Sequence, residues 1–381
     1  MKRSFKIDMM TLEDYRKKVN DYCENQINPN VDQWIAKGGV PEAIYEEMAS
    51  EGIFKACTNT DEMGFQYRVI LAEALGKVKT LGLACSIINT LNMPLFLLEK
   101  FPNDITNKYL DGIYSKGRMG AIAVTEENGG SDLVNSIKTT LTEKDGQYVL
   151  NGKKEFILNL PGADFVIVFA KSDEENTNAF SFSLVLVPTD LEGITIEKKK
   201  TSGIMLTNVG EITFHDCMLP KEYLLGKKGN GLMYMSQALT AERVVGSVSA
   251  VSMVQEVIRA TINYMDTKEL FGSKLLDMQV VRHNLSDMTA EYEIMRAYLY
   301  DVIGQYSLKK LNNSHYQTEV AKVKLICSTK CIELVQKCNH MFGGQGFLIE
   351  NWISRAYLDM LGSRFFAGTN ETMKQLISQR L

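Results

Sequence analysis

The string Thr125-Glu126-Glu127-Asn128-Gly129-Gly130-Ser131-Asp132 combines two hydroxyls with a glycine pair. Glycines let the backbone approach a flat ligand closely, and the Thr125 and Ser131 hydroxyls can hydrogen-bond it. Alone, the same string also reads as an Asx-type turn, in which Asn and Asp bond their own backbone. It does not stand alone. Downstream come Asn151-Gly152-Lys153-Lys154-Glu155-Phe156-Ile157-Leu158-Asn159, then Phe271-Gly272 followed by Gln279, then Phe342-Gly343-Gly344-Gln345-Gly346-Phe347, and last Ala367-Gly368-Thr369-Asn370-Glu371. Cysteine and metal chemistry are not indicated. The seven cysteines (Cys23, Cys57, Cys85, Cys217, Cys327, Cys331 and Cys338) are odd in number and form no CxxC, and the four histidines are widely spaced. Cys327 and Cys331, four apart, share a helix face as packing residues. A reducing, cytoplasmic setting fits best.

Three zones would position these segments. Residues 1–118 read as helices with short polar connections. From 119 to 225 short β-rich runs appear, such as Phe165–Phe169 and Leu184–Val187, separated by turns such as Asn151-Gly152. From 226 to 381 the helical period returns, with Val244, Val248, Val251 and Ile258 on one stripe. The fold class is α+β, mostly α. A chain of 381 residues, 45% hydrophobic and 23% charged, is long enough for two or three domains with their own cores. The net charge of −4 is spread through interleaved acids and bases, which excludes a nucleic-acid footprint. Lys198-Lys199-Lys200 reads as a solvated edge. The N-terminus shows no signal or transit pattern, and no run of about 18 or more apolar residues predicts a membrane span.

In order and spacing, the five segments resemble those of the acyl-CoA dehydrogenases, which read roughly TEPGAGSD, NGxKxWITN, RxxFG…Q, FGGxG and GTxE. The resemblance implies an N-terminal helical domain, a middle β-barrel domain and a C-terminal four-helix bundle. FAD would lie between the β domain and the bundle and touch a neighbouring subunit. It places Val124, Thr125, Gly130 and Ser131 at the cofactor, the two hydroxyls facing the flavin. Phe156 takes the place of the family's tryptophan against the ring. Lys268, Phe271, Gln279, His340, Gly344 and Thr369 fall among the cofactor positions, Gln279, His340, Gly344 and Thr369 toward the nucleotide half and partly across the subunit interface. Four positions depart from the pattern. Leu158 stands where a threonine usually bonds the flavin. Lys268 replaces an arginine, keeping charge without the bidentate fork. His340 replaces a glutamine, and Leu358 replaces the arginine of an Arg-Asp pair.

The chemistry so implied needs a carboxylate. A thioester acidifies its α-hydrogen, a base removes that proton, and the β-hydrogen leaves as hydride to flavin N5. Many family members carry the base as the Glu of Tyr-Glu-Gly-Thr; here that segment is Phe366-Ala367-Gly368-Thr369. Isovaleryl-CoA and long-chain acyl-CoA dehydrogenases instead place a Glu on an earlier helix, just before an arginine. Leu239-Thr240-Ala241-Glu242-Arg243 occupies that place, expected to open the long helix at 244. The resemblance therefore implies Glu242 as base, with Arg243 at the substrate and the Ala367 N–H polarising the thioester carbonyl. Glu371, at a position the family uses near the cofactor, is the alternative base. A solvated helix carboxylate is the plain alternative for Glu242.

The expected activity is FAD-dependent α,β-dehydrogenation of an acyl thioester, acyl-CoA in the first instance. The alternative is oxidation of an aminoacyl (prolyl) group on a carrier protein, as done by prolyl-carrier-protein oxidases, which resemble the isovaleryl branch. Electrons would pass to an electron-transfer flavoprotein or to O2, and the chain would form a homotetramer or dimer. A flavin-binding protein without activity is the reading from another class, and the retained Glu242 argues against it.

Overall fold

Thr11 lends its hydroxyl to the Asp14 N–H at 3.1 Å, capping the first helix and satisfying one of the amides that a helix start leaves open. The computed structural model describes residues 10–173 and 177–381; the reading of the N-terminus as free of a targeting pattern falls on residues 1–9, outside the described ones. Among these, eight α-helices come first: α1 (Leu12–Tyr22), α2 (Val31–Lys37), α3 (Glu42–Ser50), α4 (Ile53–Ala56), α5 (Glu62–Gly76), α6 (Gly82–Asn92), α7 (Pro94–Lys100) and α8 (Asp104–Lys116). α5 and α6 are buried on nearly every face, which is why they read as continuous apolar sequence rather than as stripes. Gly82–Lys100 is long and apolar enough to cross a membrane by length and composition. It is instead two helices, broken at Met93 because Pro94 brings no amide donor, and 89% of it is buried inside the fold.

The middle zone is one eight-stranded sheet. Its strands are β1 (Gly120–Ala123), β2 (Thr140–Lys144), β3 (Gln147–Leu158), β4 (Phe165–Lys171), β5 (Phe182–Pro188), β6 (Ile194–Lys199), β7 (Val209–Leu219) and β8 (Leu224–Leu225). They lie in the order β6-β7-β3-β2-β4-β5-β8, with β1 parallel to β4. Side chains alternate with period two: Phe165, Ile167 and Phe169 enter the core shared with the helices, while Val166, Val168 and Ala170 enter a second core enclosed by the sheet itself. Asn151-Gly152, expected to be a turn, lies inside β3 instead. Gly152 has φ +140° at a register shift, and a Cβ there would stand 2.6 Å from Thr139 Cα. Asn151 bonds Asp216 across to β7, and the turn falls earlier, at Asp145-Gly146, both at positive φ.

The C-terminal zone is built on α9 (Gly231–Thr267), followed by a hairpin of β9 (Glu269–Leu270) and β10 (Ser273–Lys274), then α10 (Gln279–Gly304), α11 (Ser314–Met341), α12 (Trp352–Gly362) and α13 (Asn370–Ser378). α9 packs on α5 and α6 as well as on α10 and α11, so one apolar core runs through both helical zones. The helix was expected to open near Val244. It begins at Gly231, because Tyr234, Met235, Ala238 and Ala241 continue the buried stripe toward the N-terminus. Glu242 therefore sits in the helix interior, held by several turns on either side.

Candidate active site

α6, α9 and α11 enclose, with the end of β3 and the 363–367 loop, a cavity of about 70 Å³. Its walls are largely apolar, with Ala84 and Ile88 from α6, Leu158 from β3, and Gly246 and Ala250 from α9. Three acidic or basic side chains converge on it: Glu242, Arg243 and Lys324. A mostly apolar cavity with a few placed polar groups is the usual form of a small-molecule site.

Asp359 sets one wall in place. Its buried carboxylate accepts from Leu81 N at 2.7 Å, Ile204 N at 2.5 Å and Thr80 Oγ1 at 3.3 Å. It thereby ties α12 to the start of α6 and to the middle domain at once. Burial pushes its pKa above the ordinary value, against those three donors.

Glu242 faces the cavity and keeps some accessible surface for that reason, yet protein surrounds it. Asn92 Nδ2 donates to Oε2 at 3.1 Å and Asn89 Nδ2 to Oε1 at 3.5 Å, both from α6. Burial raises its pKa to about 7, with the two amides pulling the other way. A carboxylate that titrates near neutrality inside a cavity is suited to taking up a proton.

Arg243, 8% exposed, donates from Nε to the Ala367 carbonyl at 2.9 Å. Burial lowers its pKa to about 10. Ala367 and Gly368 are both left-handed, at φ +53° and +95°, a turn that alanine enters at a cost. The Ala367 N–H bonds nothing among the described residues. Lys324, 4% exposed, braces the same loop, donating to Arg364 O at 3.2 Å and Asn370 Oδ1 at 2.9 Å. Burial first, then Arg243, lowers its pKa to about 7. Thr369 caps α13, and its hydroxyl meets that of Ser131 at 3.2 Å, bringing the first and last of the five segments together.

The middle-domain residues share a buried ion pair. Lys154, fully buried, donates to Glu126 Oε1 at 2.8 Å and to Val124 O at 2.9 Å. Glu126 also accepts from the Lys138 and Thr139 amides. Burial brings the lysine down to about 8. For Glu126 burial acts upward, but Lys154 and the amides outweigh it and hold the carboxyl below its usual value. The pair fixes the Val124–Ser131 loop against β3. Two residues along, Phe156 sits at φ +57° beside a register shift and turns its ring outward, 68% exposed. No packing in the chain asks for glycine at Gly130, where a Cβ would meet only Thr125 at 3.5 Å, or at Gly344, where it would meet nothing. An exposed aromatic face, two hydroxyls and a glycine at position 130 not demanded by its surroundings fit a flat, extended cofactor such as FAD. Leu158 lines the cavity with an apolar side chain that has no hydrogen-bonding group to offer.

Not every expected residue joins this arrangement within one chain. Lys268, Phe271 and Gln279 are exposed around the β9–β10 hairpin, and His340 and Gly344 are exposed at the end of α11. Glu371 is exposed, lies outside the cavity wall and is 3.8 Å from Lys374. Four residues were missed in the sequence: Asn89, Asn92, Lys154 and Lys324. Lys154 had a signal, since its segment was singled out and its charge sits in a β run. The others are polar residues on helices, with partners 40 or more residues away.

Three family models match along the chain: Acyl-CoA dehydrogenase, N-terminal domain, over residues 10–117; middle domain, over 121–217; and C-terminal domain, over 229–381. The chain is 26% identical over 373 residues to the mitochondrial long-chain specific acyl-CoA dehydrogenase of Mus musculus, covering 96% of this chain and 85% of that one. It is 24% identical over 379 residues to the mitochondrial isovaleryl-CoA dehydrogenase of Oryza sativa subsp. japonica, covering 97% and 91%. Its structure resembles an acyl-CoA dehydrogenase from Geobacillus kaustophilus with a TM-score of 0.88, 27% identity and 97% of each chain covered.

Proposed function

Because the chain belongs to the acyl-CoA dehydrogenase family, whose members are FAD-dependent oxidoreductases, we propose that it dehydrogenates the Cα–Cβ bond of an acyl thioester, with Glu242 as the base. The observation that carries this is the placement of Glu242: a carboxyl with pKa near 7 on an apolar cavity that Ala367 also lines, its backbone N–H without a partner among the described residues. FAD, when bound, supplies the acceptor for the Cβ hydrogen, which leaves as hydride. Glu242 takes the Cα proton onto a carboxylate oxygen. The Ala367 N–H donates to the thioester carbonyl, stabilising the charge that develops there. Arg243 acts from behind, holding Ala367 by its carbonyl. Phe156 and the hydroxyls of Thr125, Ser131 and Thr369 would hold FAD.

The proposed carrier of the acyl group is coenzyme A. An aminoacyl group on a carrier protein offers the same thioester and forms the second arm of the test. The site would be completed by a second copy of the chain, with Lys268, Phe271, Gln279, His340 and Gly344 serving the neighbouring FAD; the 92% exposure of Phe271 and 93% of Phe347 support an oligomer. The test is anaerobic mixing of the FAD-loaded protein with a panel of acyl-CoAs and aminoacyl carrier proteins. Loss of flavin absorbance with an acyl-CoA is expected. Response only to an aminoacyl carrier protein would reassign the carrier, and no response to any thioester would overturn the proposal.

A further inference from the structure

We propose that Asn89 and Asn92 are positioning residues for Glu242, a pair of amides that serves its carboxyl both ionised and protonated. The proposal rests on Glu242 being the base. Each carboxylate oxygen has its own donor, Oε2 from Asn92 at 3.1 Å and Oε1 from Asn89 at 3.5 Å, so the group is fixed in rotation as well as in place. Both asparagines are buried, Asn92 completely. Helix formation does not ask for them, since asparagine competes for backbone hydrogen bonds and disfavours helix interiors. Leu81 at the N-cap of α6, and Ala84 and Ile88 along it, wall the cavity with apolar groups. Asn89 and Asn92 come one and four positions beyond Ile88 and reach the carboxyl.

The Oδ1 atoms of both asparagines are buried without a hydrogen-bond partner. Such atoms are rare, and two at one carboxyl call for a reason. The terminal torsion of an asparagine is soft and roughly two-fold, so a half turn exchanges Nδ2 for Oδ1. A carboxylate accepts only, and needs donors; a carboxylic acid carries one O–H and needs an acceptor. With two amides, one can keep donating to the bare oxygen while the other turns its oxygen to the new O–H. Glu242 then stays in register before and after it takes a proton. The other ionisable groups nearby are Cys85 on α6, Arg243 on α9, Lys324 and Cys327 on α11, and Asp359 on α12 beyond Cys85. None of them is altered by substituting the asparagines.

The test is a pH titration of the Glu242 carboxyl by difference infrared spectroscopy on the FAD-loaded protein without substrate, the band being assigned by its loss in Glu242→Gln. Asn92→Leu and Asn89→Leu remove one donor each at similar size. Both should raise the Glu242 pKa, Asn92→Leu by about one unit, and the double variant should raise it furthest. The pH profile of flavin reduction by a substrate should move alkaline by the same amount, while reduction at high pH stays within about tenfold of wild type. If a leucine variant does not load FAD, Asn92→Ser, smaller and still a donor, should give an intermediate shift. An unmoved titration in the variants that load FAD overturns the proposal. A moved titration in a protein that no thioester reduces leaves the amide pair standing and overturns the base reading instead.

Discussion

Arg243 Nε donates to the carbonyl oxygen of Ala367 at 2.9 Å, across 124 residues of sequence. The bond ties the residue after Glu242 to the left-handed turn that faces the cavity, so base and backbone N–H are set relative to each other by one guanidinium. Arg243→Lys keeps the charge and loses the fixed N–H direction. Its kcat/KM should fall by about 10- to 100-fold, the scale of a misplaced catalytic group, with FAD content unchanged. Steady-state kinetics with flavin absorbance as the loading control checks this.

Phe156 holds its left-handed backbone at a cost of roughly 1–3 kcal/mol, which its position in the chain does not require. Phe156→Gly should leave the apoprotein as stable or up to about 1 kcal/mol more stable, while FAD affinity drops about tenfold or more for want of the ring. Thermal melting of the apoprotein and a fluorescence titration with FAD read the two effects separately. A loss of apoprotein stability with unchanged FAD affinity would make Phe156 a packing residue.

The five glycine- and hydroxyl-bearing segments were legible because a flat ligand demands small residues and donors at set places, and such demands leave local strings. The helix–sheet–helix order was legible through the change from a 3.6 to a 2 period at Phe165–Phe169 and back. What escaped was non-local. Asn89 and Asn92 carry no local signal, and their partner Glu242 lies about 150 residues on. The start of α9 was misplaced because the Val244–Ile258 stripe is plainer than that of Tyr234, Met235 and Ala238. Asn151-Gly152 imitates a hairpin turn, and only the approach of Thr139 shows that the glycine serves a bulge. Gly82–Lys100 passed unnoticed because a core helix pair and a membrane span share one composition.

Lys154 and Glu126 form a buried pair at 2.8 Å. Breaking such a pair from one side leaves an uncompensated buried charge and costs about 3–5 kcal/mol. Lys154→Met should destabilise by that order and reduce FAD content, because the Val124–Ser131 loop loses its anchor. The double variant Glu126→Gln/Lys154→Met should recover most of the loss. Urea denaturation of the three proteins gives the comparison.

Glu242, at about 7, stands above its ordinary value of 4.5. A carboxyl raised in this way binds its proton more tightly folded than unfolded, so its stabilising contribution is full below 4.5 and is lost as pH rises through about 7. The rate runs the other way, since only the ionised form accepts the Cα proton: it should climb through pH 7 and level off above. Glu242→Gln, which never ionises, should match wild-type stability near pH 4.5 and exceed it at about pH 8 by on the order of 1–3 kcal/mol. Melting curves across that range check the sign.

Single-turnover flavin reduction in Glu242→Gln bears on the assignment of the base most directly. Glutamine keeps the size of the side chain and one acceptor oxygen, and it cannot take up a proton. With FAD and substrate still bound, the rate should fall by about 10²–10⁴-fold or more, since the largely apolar walls supply no carboxylate besides Glu242. Glu371→Gln, on an exposed carboxyl outside the cavity, should reduce flavin at near the wild-type rate. Near wild-type reduction in Glu242→Gln together with loss in Glu371→Gln would contradict the assignment and move the chemistry to the C-terminal segment.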